Sequence, residues 1–396
     1  MAVPSLMQLF TMTKELTGPD DSVVLILDRV RERATISARA FASPNGLVMT
    51  GGDAVVGSLV GRRMALSSMV TEAQIAGRFS FDGLDAVAEV RRTAPSCRIV
   101  VTGDDLPESV AEEAIRRGAS DVVLRPFHSA EFRNRLGLGS TSGGGMILHI
   151  PTIEEFTASE SLSPAFQPIV DLANRDRGVG YESLARFRET TLPFCDPSFM
   201  FEYARLCDRT AELDLACLRR TLRAARALPD QGKIFINIHP RVLANGDLFL
   251  RTLVDEAATN QIALDRLVLE ITEQEKLTPT ESTLPAVEVL RTAGVQFALD
   301  DVGTSYSHLD LISRIRPTYL KIGHEFGTGF EKDPARKKII RNIQLLARDF
   351  ECEVILEGVE TAETSRAAAD IGARYAQGFF YARPADASAL VQYATA

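Results

Sequence analysis

Short apolar runs recur along this chain, and most close on a polar or turn-forming residue. In the first third, Val23-Val-Leu-Ile-Leu27 (closing on Asp28), Arg98-Ile-Val-Val-Thr102 and Asp121-Val-Val-Leu124 read as buried strands, since they are continuously apolar and too short for helices. Between the last two, Pro107 to Arg117 carries alanines and an isoleucine at helical spacing, and Gly118 stands where a helix stops. Strand alternating with helix predicts a small doubly wound α/β domain. The stretch from about Ala40 to Gly77 marks no clear element boundaries.

Gly137-Leu-Gly-Ser-Thr-Ser-Gly-Gly-Gly145 interrupts the pattern. Small hydrophilic residues and a glycine triplet cannot build a core, so a linker is expected at 137–146, with one domain over 1–136 and a second over 147–396. In the second, seven apolar runs end on polar side chains. Gly178-Val-Gly-Tyr181 closes on Glu182, Ile234-Phe-Ile236 on Asn237, Leu267-Val-Leu269 on Glu270, and Phe297-Ala-Leu299 on Asp300-Asp301. Tyr319-Leu320 precedes Lys321, Val354-Ile-Leu356 precedes Glu357, and Arg374-Tyr-Ala376 precedes Gln377. Polar residues at successive strand ends match where a (β/α)8 barrel builds its site. Singly, each acid reads as well as a loop residue or helix cap. Together, five converging carboxylates repel unless cations neutralise them. Oxygen-only donors favour Mg²⁺ or Mn²⁺, and adjacent aspartates suit two ions about 3.5–4 Å apart.

Composition narrows the partners. A net charge of −9 argues against DNA or RNA as partner, while a small anion stays possible where metal ions reverse the local sign. The five cysteines (Cys97, Cys195, Cys207, Cys217, Cys352) form no CxxC pair, which fits a reducing cytoplasm better than a disulfide framework or a zinc site. The first thirty residues lack a leader-like apolar core, and no apolar run reaches bilayer length, so a cytoplasmic protein without membrane insertion is expected.

The front domain resembles a response-regulator receiver through Ile99-Val-Val-Thr102, the helix ending Arg117-Gly-Ala119, and Asp121-Val-Val-Leu-Arg-Pro-Phe127. Two departures stand out. Arg125 takes the place of the receiver lysine, and Met64 to Gly77, where a phosphorylatable aspartate should close the third strand, contains only Glu72 as an acid. Asp28 reads either as a remnant of the receiver's acidic pair or as a solvated turn residue. The resemblance implies a pseudo-receiver that is not phosphorylated and serves docking, dimerisation or allostery.

From Met146 to Ala396 the chain resembles the EAL-domain family of cyclic di-GMP phosphodiesterases. The likeness rests on Phe166-Gln-Pro-Ile-Val-Asp-Leu172, Glu182-Ser-Leu184, Glu270-Ile-Thr-Glu273, Leu299-Asp-Asp301, Gly303-Thr304, Lys321-Ile322, Glu357-Gly-Val-Glu360 and Gln377-Gly378, in that order. By resemblance, Glu182, Asn237, Glu270 and Asp300 would hold a first Mg²⁺ or Mn²⁺, with Asp300 bridging to a second ion near Asp301. Glu357 would act as general base, Lys321 would stand beside the attacking water, and Gln377, Leu184, Pro384 and Arg186 would meet substrate. The lesser alternative for Arg186 is a surface ion-pair residue, and Glu273 reads as a loop anchor tied to a homodimer interface in preference to an ordinary helix-start acid. Relative to the family pattern, Val302 replaces an aromatic residue, Ser305 a glycine and Gly323 an aspartate, while His239 replaces a small residue; His308 and His324 lie nearby. The expected function is metal-dependent hydrolysis of cyclic di-GMP to pGpG, regulated by the pseudo-receiver. The alternatives are a non-hydrolysing cyclic di-GMP receptor that recruits a protein partner, and a scaffold that does neither.

Overall fold

The computed structural model describes residues 23–28, 34, 47–63, 66–72, 82–104, 106–125, 136, 146–158, 162–174, 177–187, 197–228, 232–244, 246–271, 283–303 and 308–393. They fall into two compact units: Met1–Ser161 with Phe187–Arg209, and Leu162–Arg186 with Thr210–Ala396.

The first unit is built on a parallel sheet of β1 (Val23–Leu27), β2 (Leu47–Gly51), β3 (Ser68–Glu72), β4 (Arg98–Gly103), β5 (Asp121–Leu124) and β6 (Met146–Ile150). Its order is β5-β4-β3-β1-β2-β6, and every described pairing is parallel. β1, β2 and β3 are buried at every position, which is why they read as apolar runs without alternation. β6 is a difference from the composition-based division. It starts directly after the Gly/Ser stretch, yet it pairs with β2 and extends the first sheet, so the chain enters the barrel only at residue 162.

At the C-terminal ends of this sheet, one guanidinium gathers three acids. Arg125, just past β5, reaches Glu72 at 2.7 Å, Asp28 at 3.2 Å and Asp104 at 2.9 Å. Asp28 and Glu72 are buried. Glu72 lies in register with the buried Thr102 of β4.

The second unit is a closed barrel in the order β10-β11-β12-β13-β14-β7-β8-β9. Its strands are β7 (Leu162–Asp171), β8 (Arg177–Phe187), β9 (Lys233–Ile238), β10 (Leu267–Ile271), β11 (Gln296–Val302), β12 (Tyr319–Ile322), β13 (Glu353–Leu356) and β14 (Tyr375–Ala376). The pairings from β8 through β14 are parallel, whereas β14 meets β7 antiparallel, so the expected (β/α)8-like barrel closes with one antiparallel seam. Among the described residues, no helix is long and apolar enough to cross a membrane.

Candidate active site

The site rests on an apolar floor set by strand periodicity. Residues two apart on a strand share a face. Gly180, Phe235, Val268, Ala298, Tyr319, Ile355 and Tyr375 each stand two positions before Glu182, Asn237, Glu270, Asp300, Lys321, Glu357 and Gln377. Phe235, Val268, Ala298, Ile355 and Tyr375 pack together with Ile169, and Tyr319 lies against them. The Tyr319 ring sits edge-on to Phe235 at 5.1 Å and to Tyr375 at 6.2 Å. Gly180 is what lets Phe235 fill the centre, because a Cβ there would meet the phenyl ring at 2.7 Å.

Two residues further toward the strand ends, on the same face, polarity takes over. Lys321 is fully buried, and its Nζ lies 2.7 Å from Glu357, 3.1 Å from both Glu182 and Glu270, and 3.5 Å from Asp300. Asn237 donates its side-chain N–H to Glu182 at 3.0 Å. Gln377 donates to the other Glu182 oxygen at 2.7 Å and to Gln167 at 3.0 Å, and Gln167 in turn donates to the Ala382 carbonyl. The carboxylate oxygens of Asp300, Asp301 and Glu357 lie within 4.8 Å of one another. The register of β11 against β12 shifts between Leu299 and Val302, which spans the aspartate pair, and Asp301 takes a positive φ of 53°. Such bulges re-aim side chains beside sites.

Electrostatics here follow from burial and crowding. Burial and the neighbouring Glu182 push Glu270 well above the usual carboxylate range. Burial, with Glu182 and Asp301 close by, also raises Asp300, and burial with Asp300 and Glu182 raises Glu357 to about 8. Burial would raise Glu182 too, but Lys321, Gln377 and Asn237 outweigh it and hold this acid below its ordinary value. Burial opposes the charge on Lys321, yet Asp300, Glu182, Glu270 and Glu357 raise its pKa well above the ordinary lysine value.

Of the expected residues, Glu182, Asn237, Glu270, Asp300, Lys321, Glu357 and Gln377 are therefore joined in one network, with Asp301 beside Asp300 and Glu357. Arg186 shares the β8 face of Glu182 and Leu184; it is half-buried, burial lowers its pKa against the pull of Glu182, and its guanidinium donates to the Ala185 carbonyl at 2.9 Å. Pro384, half-buried, precedes Ala385, which bridges to Phe166 of β7. Glu273 and Ser305 lie outside the described residues. His239 offers a backbone N–H to Asp214, and His324 is exposed at a helix start.

Two contributors escaped the sequence reading. Gln167 was visible only as part of the Phe166-Gln-Pro run. Asp214 sits on the helix Thr210–Ala225 among buried Leu213, Leu218, Thr221 and Leu222, and an acid at helical spacing with apolar neighbours was its only signal. From the same helix Thr221 shares a 2.6 Å hydrogen bond with Ser183, the residue after Glu182.

The second unit is thus a closed eight-stranded barrel with an acidic, lysine-centred cluster at its strand ends, the place where such barrels build their sites. Residues 152–384 match the EAL domain model, and the chain belongs to the EAL domain family. It is similar to the uncharacterized protein Rv1354c of Mycobacterium tuberculosis, 26% identical over 362 residues that cover 86% of this chain and 57% of that one. It is also similar to the cyclic di-GMP phosphodiesterase TpdA of Vibrio parahaemolyticus, 34% identical over 148 residues covering 37% of this chain and 25% of that one. Among solved structures it is similar to Klebsiella pneumoniae BlrP1 in its calcium and cyclic di-GMP complex, 28% identical with a TM-score of 0.52 over 58% of this chain and 57% of that one. The chain thus spans between a quarter and little more than half of the length of these curated relatives.

The residues fit divalent cations. Four carboxylates face a single ammonium with Asp301 beside them, and the buried Glu270 Oε1 and Gln377 Oε1 have no hydrogen-bond partner among the described residues. An all-oxygen donor set of this kind suits hard ions.

Proposed function

We propose that the barrel hydrolyses cyclic di-GMP to linear pGpG with two Mg²⁺ or Mn²⁺ ions. The observation that carries this reading is the meeting of Glu182, Asn237, Glu270, Asp300 and Glu357 around Lys321 within an EAL domain. Glu182, Asn237, Glu270 and Asp300 would hold one ion, and Asp300 with Asp301 the second. Bound there, the ions supply Lewis acidity toward a phosphate oxygen and toward the attacking water.

The chain's own residues do the rest. Glu357, whose carboxylate lies 2.7 Å from the Lys321 ammonium, accepts the proton of the water that attacks phosphorus. The P–O3′ bond breaks, the 3′-oxygen takes up a proton, and opening one of the two ring phosphodiesters leaves a linear dinucleotide with a 5′-phosphate. Lys321 offsets charge that grows on the phosphate. Gln377, fixed by Gln167, keeps Glu182 oriented. Arg186, with its planar fork, takes a phosphate oxygen of the substrate, while Leu184 and Pro384 line the approach.

The front unit is a pseudo-receiver in this reading. Its strand order apart from β6, 2-1-3-4-5, is that of flavodoxin-like receivers, and Arg125 already neutralises Glu72 and Asp28 where a phosphoryl group and its cation would otherwise bind. It serves to regulate the barrel or to dock a protein partner in the cytoplasm, and the protein works as a homodimer.

Incubating pure protein with cyclic di-GMP and Mg²⁺ or Mn²⁺ should release pGpG, and Glu357→Gln should stop it. Tight binding without product in either metal would instead establish the receptor. That second reading draws on one observation, the Asp301 carboxylate seated in the space that the missing side chain of Gly323 leaves open.

A further inference from the structure

Glu357 leaves β13 between two glycines that belong to neighbouring segments of the barrel unit. On one side, the short helix His324–Gly327 follows β12 and lies against the Glu357 carbonyl. A Cβ on Gly327 would overlap that carbonyl oxygen and stand 2.8 Å from its carbon. On the other side, a Cβ on Gly378 would overlap the Val359 backbone from its nitrogen to its oxygen. Backbone hydrogen bonds run through the same sandwich. The Glu357 N–H donates to the Ile322 carbonyl at 3.1 Å, the Val359 N–H to Gln377 at 3.1 Å, and the Phe380 N–H to Val359 at 3.0 Å. Gly327 is buried and helical, not in the left-handed region, so its backbone would accept an alanine. Only the space against Glu357 forbids one.

Neither backbone has room to retreat. Gly323, where the turn starts, faces the Asp301 carboxylate. Phe326 packs on the core beside Gly303, and Phe330 is fully buried. Behind Glu357 stands the contact of Val359 with Gly378. A side chain at position 327 therefore drives the two segments apart by on the order of 1 Å, the distance that relieves such an overlap. The Glu357 carboxylate rides on that peptide and lies 2.7 Å from Lys321 Nζ. We infer that Gly327 is a positioning residue for Glu357, its missing side chain setting the depth at which this acid stands beside Lys321. The consequence for hydrolysis rests on the function proposed above; the fit of the two backbones does not.

Steady-state kinetics and amide hydrogen exchange on the full chain test it together. Gly327→Ala should lower kcat about a hundredfold, the scale of a misplacement of about 1 Å, while KM and cyclic di-GMP affinity stay within about twofold of wild type. Exchange over residues 354–360 should quicken about fivefold as the Glu357 and Val359 hydrogen bonds loosen. Gly329→Ala is the control. Its φ of 66° strains an alanine mildly, and an added Cβ there meets nothing within 4 Å. It should lose some stability yet keep wild-type turnover and wild-type exchange over 354–360. A merely structural role predicts that both glycine variants behave alike. Gly327→Ala with wild-type kcat and unchanged exchange would overturn the inference, and so would a rise in KM at constant kcat. If Gly327→Ala fails to fold, Gly358→Ala presses the same joint from the other side, where a Cβ would meet the His324 carbonyl at 2.9 Å. Its φ of 72° is close to that of Gly329, so the same control applies and the comparison is the same. A wild-type protein that binds cyclic di-GMP without releasing product would sink the functional reading, while the exchange pattern would still decide the joint.

Discussion

Asp301 Oδ1 lies 2.7 Å from the point a Cβ on Gly323 would occupy. The Asp301 backbone is already in the left-handed region, at the register shift of β11, so its carboxylate has been turned toward the space that glycine leaves open. Gly323 itself has an ordinary φ of −54°, so its lack of a side chain matters for space, not for backbone freedom. Gly323→Ala should displace the Asp301 carboxylate and weaken Mn²⁺ binding about tenfold, the scale on which disturbed ligand support acts. Gly323→Asp displaces it equally but adds an oxygen donor, and should recover the affinity and raise turnover. Isothermal titration of both variants decides this, and equal affinity for wild type and Gly323→Ala would mean the crowding has no consequence.

Lys321 and bound cations neutralise the same acids, so they should substitute for one another. Its ammonium lies within 3.5 Å of four carboxylates and is fully buried. Lys321→Met leaves those charges facing each other and should cost about 3–5 kcal/mol of metal-free stability, the usual penalty for breaking a buried pair. In a thermal melt this corresponds to a fall on the order of 10 °C. Millimolar Mn²⁺ should then raise the melting temperature of the variant more than that of wild type. An equal rise in both would show that the lysine and the metal act independently.

Most of the site was legible because barrel geometry turns a one-dimensional signal into a three-dimensional one. Apolar runs ending at Glu182, Asn237, Glu270, Asp300, Lys321, Glu357 and Gln377 come together because parallel strands carry their C-terminal ends to one rim. The sequence could not say that Lys321 would stand among the acids instead of beside them, since that depends on which strands are neighbours across the barrel. Pairing of β6 with β2 was hidden for a similar reason: the Gly/Ser stretch signals a joint, but long-range pairing leaves no mark on local composition. The antiparallel meeting of β7 and β14 is likewise a property of closure, and Asp214 looked like any helix acid until its burial was seen.

Arg125 should prove the structural pin of the front unit. It pairs with Glu72 and Asp28, both nearly shielded from water, and with the more exposed Asp104, whose share is small. Arg125→Gln leaves two buried acids without that cation and should destabilise the unit by about 3–5 kcal/mol. Added Mg²⁺ should restore part of the loss in the front unit's own transition in the variant and leave that transition unchanged in wild type, because there the guanidinium already occupies the cation's role. A melt insensitive to the substitution would show that the three ion pairs carry no net stability.

The Asp214 carboxyl gives the pH dependence with a definite sign. Burial raises it from 3.8 to about 7, against the His239 N–H that favours the anion. The folded protein therefore holds a proton between about pH 4 and 7 that the unfolded chain has already released. This contribution to stability is fully present below pH 4 and is lost as pH rises through 7. At about 1.4 kcal/mol per pKa unit the loss is at most about 4 kcal/mol. Asp214→Asn still accepts the His239 N–H but carries no charge to desolvate. Its melting temperature should match wild type near pH 4.5 and exceed it by several degrees near pH 8, a difference that grows across the interval. Since this hydrogen bond braces the turn just after Asn237, cation affinity in Asp214→Asn should stay near that of wild type, whereas Asp214→Ala should weaken it about tenfold. A stability gain that is the same at pH 4.5 and pH 8 would mean that Asp214 is ionised throughout and that burial does not govern it.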